Sequence, residues 1–234
     1  MKKSILIITL LILICKVNNA QDVKRIVVAA YPAYIRNSQD IKRIVVAAYP
    51  AYIRLFDDKK ISSFGGGARL SYNMRNNKTF FSVGFNYYAP KSFNSQFTAN
   101  ELITGAPQIV DTDNKANLIQ YSLGIQRYFI GEYQYDFSVY GSLEINTLMG
   151  SYTYNLKSPE DNLDYGSFKD GAKERVFGRG VSAGLGCEKK IGFAYLFGEA
   201  NYNYTLTTET SRYTQEKLIP SYINVMAGIR IPIF

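Results

Sequence analysis

The sequence predicts an all-β protein, an eight-stranded antiparallel up-and-down transmembrane β-barrel preceded by a signal peptide. Three observations predict it. Apolar and polar residues alternate with period 2 after residue 40, and no helical stripe is sustained anywhere in that stretch. The two faces of the alternating segments differ in kind, one apolar and aromatic, the other built of Gly, Ser and Asn with isolated charges. The connections between segments alternate between short and long.

The N-terminus reads as an export signal over 1–20. Lys2 and Lys3 precede the apolar run "SILIITLLILIC", and Ala20 is the small residue before a cut at Gln21. The run is too short to cross a bilayer as a helix. Its removal takes Cys15 away and leaves Cys187 as the only cysteine, so no intramolecular disulfide is expected. "QDVKRIVVAAYPAYIR" at 21–36 then recurs at 39–54 with Val23 replaced by Ile41. The offset is even, so either copy presents the same strand face. The second copy leads directly into the next segment and is assigned as the first strand. Residues 21–40 are expected to be a basic periplasmic extension, and 41–234 the barrel.

Eight segments carry the alternation: 43–56, 62–75, 79–90, 118–130, 134–156, 174–189, 193–208 and 220–233. In the third, Phe81, Val83, Phe85 and Tyr87 oppose Ser82, Gly84, Asn86 and Tyr88. In the second, Phe64, Ala68, Leu70, Tyr72 and Met74 oppose Gly65, Gly67, Arg69, Ser71 and Asn73. In the fifth, Phe137, Val139, Leu143 and Ile145 oppose Ser138, Ser142, Glu144 and Asn146. The last two repeat the pattern, with Glu199, Asn201 and Asn203, then Asn224, Gly228 and Arg230, on the polar side. A soluble barrel would show water a face of Lys, Glu and Thr. Small residues with a few charges suit a narrow lumen instead, and the aromatic face suits lipid. Such a sheet must close, because lipid leaves edge N–H and C=O groups unpaired.

The connections at 76–78, 131–133 and 190–192 are hairpin-short, whereas 91–117, 157–173 and 209–219 are long; the connection at 57–61 is short. Short periplasmic turns and long external loops put both termini on the periplasmic side. Counted from the periplasmic ends, Arg69, Glu199 and Arg230 fall at similar depth, with Glu144 somewhat higher. These four are expected to form a paired lumen cluster, Arg69 and Arg230 with Glu199 and Glu144 reaching across, because a lone desolvated charge costs several kcal/mol.

Two glycine-rich stretches do not read as nucleotide sites. In "GRGVSAGLG" (178–186) the glycines Gly178, Gly180, Gly184 and Gly186 share one strand face, and "FGGGAR" (64–69) lacks the Lys-Ser/Thr of a phosphate loop. The chain contains no His, which removes the usual general base and commonest metal ligand. Its formal net charge of +8 is concentrated in the leader and the repeat, so no nucleic-acid footprint is present. No cofactor or metal site is expected.

With these features in place, the chain resembles the small eight-stranded outer-membrane β-barrels of Gram-negative bacteria, the OmpA/OmpX-like superfamily. The resemblance is to the barrel domain only, and it covers about 43–234. It rests on the export signal, the alternating segments, the turn–loop asymmetry and the closing "INVMAGIRIPIF". Pro232 and the phase of Phe234 depart from the pattern of a typical last strand. The resemblance implies the cell outer membrane, contact with its lipid and lipopolysaccharide, and Phe234 as the signal read by the barrel-assembly machinery. It implies a non-enzymatic protein with a structural or surface-interaction role, an unidentified surface partner meeting loops 91–117 and 157–173. The alternatives are a narrow pore or accessory of envelope export or assembly and, less favoured, an outer-membrane enzyme. The lipid-A-modifying barrels rely on His-containing sites that this chain lacks.

Overall fold

The computed structural model describes residues 44–56, 61–74, 78–133, 135–157, 160–166, 168–213 and 217–233. The signal 1–20, the extension 21–40 and Phe234 lie outside the described residues. The strands are β1 (Ile44–Leu55), β2 (Ser62–Asn73), β3 (Thr79–Glu101), β4 (Pro107–Ile130), β5 (Phe137–Leu156), β6 (Leu163–Asp164), β7 (Ala172–Ile191), β8 (Ala194–Thr208) and β9 (Tyr222–Pro232). Eight of them pair antiparallel in the order β1-β2-β3-β4-β5-β7-β8-β9, and β9 returns to β1. The ring is therefore closed and leaves no sheet edge, the condition for a spanning sheet. β6 is a two-residue strand outside the ring, paired to the end of β3 at Asn100 and Glu101.

The second copy of the repeat is β1. It buries Val45, Ala47, Tyr49, Ala51, Ile53 and Leu55 inside the ring. Its ladder to β9 passes from Ala48↔Ile229 to Ala51↔Met226 without pairs between them, at the level of Pro50, which has no N–H to donate.

The long external loop expected at 91–117 is corrected by the structure. Most of it is strand: β3 and β4 continue past the barrel wall and turn only at 102–106. The turn is closed by Glu101 N–H donating to Ala106 O at 2.9 Å and Gly105 N–H donating to Glu101 O at 2.8 Å. Gly105 has φ of +69°, a left-handed value that glycine adopts without strain. The register shifts between Tyr88 and Lys91, which pair with Leu118 and Ala116. One extra residue on β3, in a stretch that includes Pro90, makes this a bulge. Below it the even-numbered residues of β3 point inward; above it Phe93, Ser95 and Ala99 do. In the expected loop 157–173, Leu163 and Asp164 form β6 and Phe168 packs in the interior.

The exterior divides into two zones. On β5 an apolar zone runs outward from Phe137 to Met149; Ser151, Thr153 and Asn155 follow on the same face. Thirteen residues rise about 40 Å along a strand, or roughly 30 Å along the axis at barrel tilt, close to the ~25 Å apolar band of such proteins. Phe64, Leu70, Phe81, Phe85, Tyr121, Leu185, Phe193 and Tyr202 continue the band around the wall. Above it the outer faces of β3 and β4 carry Asn94, Gln96, Thr98, Asp111, Asp113 and Lys115, while Phe93, Ala99 and Val110 turn inward. The outer face of the extension is thus largely polar, as a sheet in water requires, while its inner face mixes these apolar residues with Ser95, Thr112 and Asn114, which hydrogen-bond one another.

Inward glycines make room for the large side chains beside them. A Cβ on Gly184 would overlap Asn201 Oδ1, and one on Gly186 would overlap the Tyr140 ring.

Candidate functional site

The interior of the ring is the candidate site, and it is built in layers. At the short-turn end Phe80, Tyr128, Tyr133, Tyr140 and Tyr195 form an aromatic cluster with Val45. Phe80 meets Tyr133 edge-on at 5.0 Å and Tyr128 at 5.7 Å. Lys78 and Glu132, on adjoining turns, pair at 3.2 Å outside this cluster.

Above it lies a charged layer, placed by period-2 alternation on β2, β5, β7, β8 and β9. Arg69 donates from Nη1 to Glu199 Oε2 at 2.6 Å and from Nη2 to Glu144 Oε1 at 2.8 Å. Arg230 donates from Nη1 to Glu188 Oε2 at 2.9 Å and lies 3.5 Å from Glu199 Oε2 through Nη2. Glu199 is the hub. It also accepts from Tyr140 OH at 2.9 Å, Gln126 Nε2 at 3.1 Å and Asn201 Nδ2 at 2.8 Å. Tyr128 OH donates to Glu188 Oε1 at 2.7 Å. The guanidinium of Arg230 sits over the Tyr140 and Phe197 rings at 4.6 and 4.5 Å. These side chains are all but inaccessible, so each charge depends on its partners for the hydration it has lost.

Next is an amide layer centred on Gln120. Its Oε1 accepts from Asn86 Nδ2 at 2.9 Å, Tyr88 OH at 3.1 Å and Asn224 Nδ2 at 3.3 Å. Its Nε2 donates to Tyr222 OH at 3.1 Å and Asn203 Oδ1 at 3.3 Å. Asn146 Nδ2 donates to Asn203 Oδ1 at 3.0 Å and ties β5 into the same network.

The long-loop end is closed by apolar packing. Ile53, Leu55, Leu118, Leu148, Tyr152 and Tyr154 line it, and Ile61, Phe168, Leu218 and Ile219 enter from the connections. Ile219 is seated where Gly178 lacks a side chain; a Cβ there would overlap its Cγ2. Tyr152 OH donates to Leu218 O at 2.9 Å, and Glu174 accepts from Ser211 Oγ at 2.8 Å and Arg212 N–H at 2.7 Å. Ser211, Arg212 and Leu218 are therefore latched at this mouth by β5 and β7.

Arg69, Glu144, Glu199 and Arg230 are brought together in one network. Glu188 belongs to it equally, and so do the hydroxyls of Tyr128 and Tyr140; the sequence reading did not include these three. Glu188 shares the phase of Gly184 and Gly186, so the alternation itself was the available signal. The inward tyrosines were obscured by the aromatic bias of the outer face. Cys187 is exposed on the outer side of β7. The charges are paired and the hydroxyls of Tyr88, Tyr128, Tyr140 and Tyr222 are engaged by carboxylates or amides, while Tyr49 OH, Tyr133 OH and Ser182 Oγ are buried without a partner among the described residues, so the arrangement fixes strand register and fills space. Among the described residues no group of three or more Cys, Asp or Glu is placed to hold a metal ion.

A closed antiparallel ring of eight strands, with an apolar outer band and a polar, ion-paired interior, defines a small outer-membrane-type β-barrel. No family model matches the chain, and no curated protein matches it by sequence. Solved structures similar to it include the N-terminal β-barrel domain of Pseudomonas aeruginosa OprF, at 11% identity and a TM-score of 0.45 over 81% of this chain and 96% of that one. Neisserial surface protein A matches at 17% identity and a TM-score of 0.43, over 81% of this chain and 97% of that one. Pseudomonas aeruginosa OprG matches at 17% identity and a TM-score of 0.45, over 82% and 98%. The class assignment rests on the ring and its two faces rather than on these likenesses.

Proposed function

We propose that the protein is a non-enzymatic barrel of the cell outer membrane, acting as a sealed scaffold that presents its raised β3–β4 hairpin and the 157–173 segment at the cell surface. The observation that carries this reading is the filled interior. Four successive layers, aromatic, charged, amide and apolar, occupy the lumen from one mouth to the other, and an eight-stranded barrel has room for little beyond side chains. A scaffold with a closed bore delivers function through what it holds outside the membrane. The hairpin extends beyond the apolar band, stiffened by its ladder and by β6, and carries Leu102 and Ile103 at its turn; Ile103 is 89% exposed. In this reading an unidentified surface partner is met by the hairpin and the 157–173 segment, and the periplasmic barrel-assembly machinery inserts the chain.

Planar-bilayer recording tests the sealed bore. Purified protein is expected to give no discrete openings at moderate voltage. Reproducible unitary steps would instead assign the narrow-pore role and displace this proposal.

A further inference from the structure

The charged layer holds more carboxyl groups than guanidinium groups. Among the described residues five charged side chains are buried, Arg69 and Arg230 against Glu144, Glu188 and Glu199. Fully ionised, the layer carries a surplus of one negative charge. Lys78 and Glu132, outside the aromatic cluster, pair with each other at 3.2 Å and leave nothing over. A buried charge without a counter-charge is neutralised in preference to staying ionised.

The surroundings decide which carboxyl that is. Glu199 accepts from Arg69, Gln126 and Tyr140 on Oε2 and from Asn201 on Oε1. Glu188 accepts on both oxygens, from Tyr128 OH at 2.7 Å and Arg230 Nη1 at 2.9 Å. Glu144 has a poorer set of donors. It accepts from Arg69 Nη2 at 2.8 Å, on a guanidinium shared with Glu199, and has the neutral Ser122 hydroxyl beside it. Anions are held by charged donors, so Glu144 is the least supported of the three.

Beside it stands an idle hydroxyl. Glu144 on β5 faces Ser182 on β7 in register, and both point inward. Ser182 Oγ is buried and has no hydrogen-bond partner among the described residues. Residues directly opposite have Cβ atoms about 4.5–5.5 Å apart, so a proton on the Glu144 carboxyl can reach this oxygen. On its other side Glu144 lies against Gly124, where a Cβ would stand 2.6 Å from its Cγ, so that neighbour brings no charge. The remaining titratable groups facing the layer are hydroxyls: Tyr49 on β1, Tyr88 on β3, Tyr128 on β4, Tyr140 on β5, Tyr195 on β8 and Tyr222 on β9. Hydroxyls of this kind supply no cation.

We propose that the interior is a binding site for one proton, carried by Glu144 as the neutral acid, its O–H donating to Ser182 Oγ. Arg69 is then the ion partner of Glu199 and a hydrogen-bond donor to Glu144, and two guanidiniums face two carboxylates. The site rests on the sealed bore proposed above, which keeps bulk water from hydrating a surplus charge.

The proton links stability to pH. In the unfolded chain a glutamate ionises at about pH 4.3. Above that the folded chain holds one proton more than the unfolded one, so raising the pH favours unfolding. The contribution of Glu144 is complete below about pH 4 and is lost progressively until the group ionises in the fold. The chain has no His, so no other side chain ordinarily changes charge between about pH 5 and 8.

Two measurements on the full chain folded into lipid vesicles test the site. Urea unfolding is expected to show the folding constant falling about tenfold per pH unit from about pH 5 until Glu144 ionises. Infrared spectra at about pH 6, where ordinary carboxyls are ionised, are expected to contain the carbonyl stretch of a protonated carboxyl. Glu144→Gln keeps the shape and neutrality of the acid; it is expected to fold as stably as wild type at that pH and to lose both the band and the pH slope. Glu132→Gln, at the turn, is expected to keep both. Absence of the band from wild-type protein, or a folding constant level across that range, would overturn the proposal without recourse to any variant. A band that survives Glu144→Gln would put the proton on another group and overturn it too. Stability that rises with sodium but not with choline at equal ionic strength, in protein without the band, would assign the surplus charge to a metal cation and reject the proton. Unitary openings in a planar bilayer would fail the sealed bore itself, whereas loss of the band alone leaves the bilayer silent.

Discussion

Replacing Glu199 with leucine is expected to lower the unfolding free energy by about 3–5 kcal/mol, the cost of removing one partner from a buried ion network. The substitution strips Arg69 of its 2.6 Å partner and leaves the guanidinium with Glu144 alone. It also removes the acceptor for Tyr140, Gln126 and Asn201, each of which would then be buried with a donor unsatisfied. Equilibrium urea unfolding of protein folded into lipid vesicles measures the loss. Glu132→Gln supplies the contrast: its partner Lys78 is half exposed at 50%, so breaking that pair is expected to cost no more than about 1 kcal/mol. Equal effects from the two substitutions would show that the interior network does not hold the barrel together.

The second large effect comes from the other face. Leu143 lies midway along the apolar run of β5 and is 69% exposed. On a protein surrounded by water, Leu143→Arg would be almost neutral, within about 0.5 kcal/mol, as surface changes usually are. In a bilayer the same arginine at mid-depth costs about 2–4 kcal/mol. Thr153→Arg, above the band on the same strand, is expected to cost about 0–1 kcal/mol in the same vesicles. The gradient between these two positions is what distinguishes lipid from water outside β5. A flat response would place that face in water.

The sequence makes the membrane-spanning part of the fold legible because lipid and lumen impose opposite chemistry on alternate residues. Phe81, Val83 and Phe85 against Ser82, Gly84 and Asn86 read the same way on paper and in the ring. The same logic located Arg69, Glu144, Glu199 and Arg230, since a charge in phase with Gly and Asn has only the lumen to enter. It fell short where a single residue breaks the period. The bulge at Ala89 and Pro90 shifts the inward phase of β3, and beyond it the outer face turns polar because water replaces lipid outside. The stretch "FNSQFTAN" consequently looked like loop although Phe93, Ser95 and Ala99 keep period 2. Glu188 was missed for a related reason: it stands four residues before the turn at Gly192, close to the strand end, where charge is ordinarily solvated, yet Arg230 and Tyr128 reach it from across the ring. The latching of Leu218, Ser211 and Arg212 by Tyr152 and Glu174 depends on contacts from β5 and β7 to residues distant in sequence, which no local pattern encodes.

The central claim is a closed ring of eight strands standing in a membrane. Its most direct measurement is heat-modifiability of the protein in the outer-membrane fraction on a denaturing gel. A ring whose first and last strands are joined is expected to resist detergent at room temperature, migrate as a compact species, and shift to the position of the unfolded chain on boiling. Identical migration before and after boiling, with the protein recovered from the soluble periplasmic fraction, would contradict it.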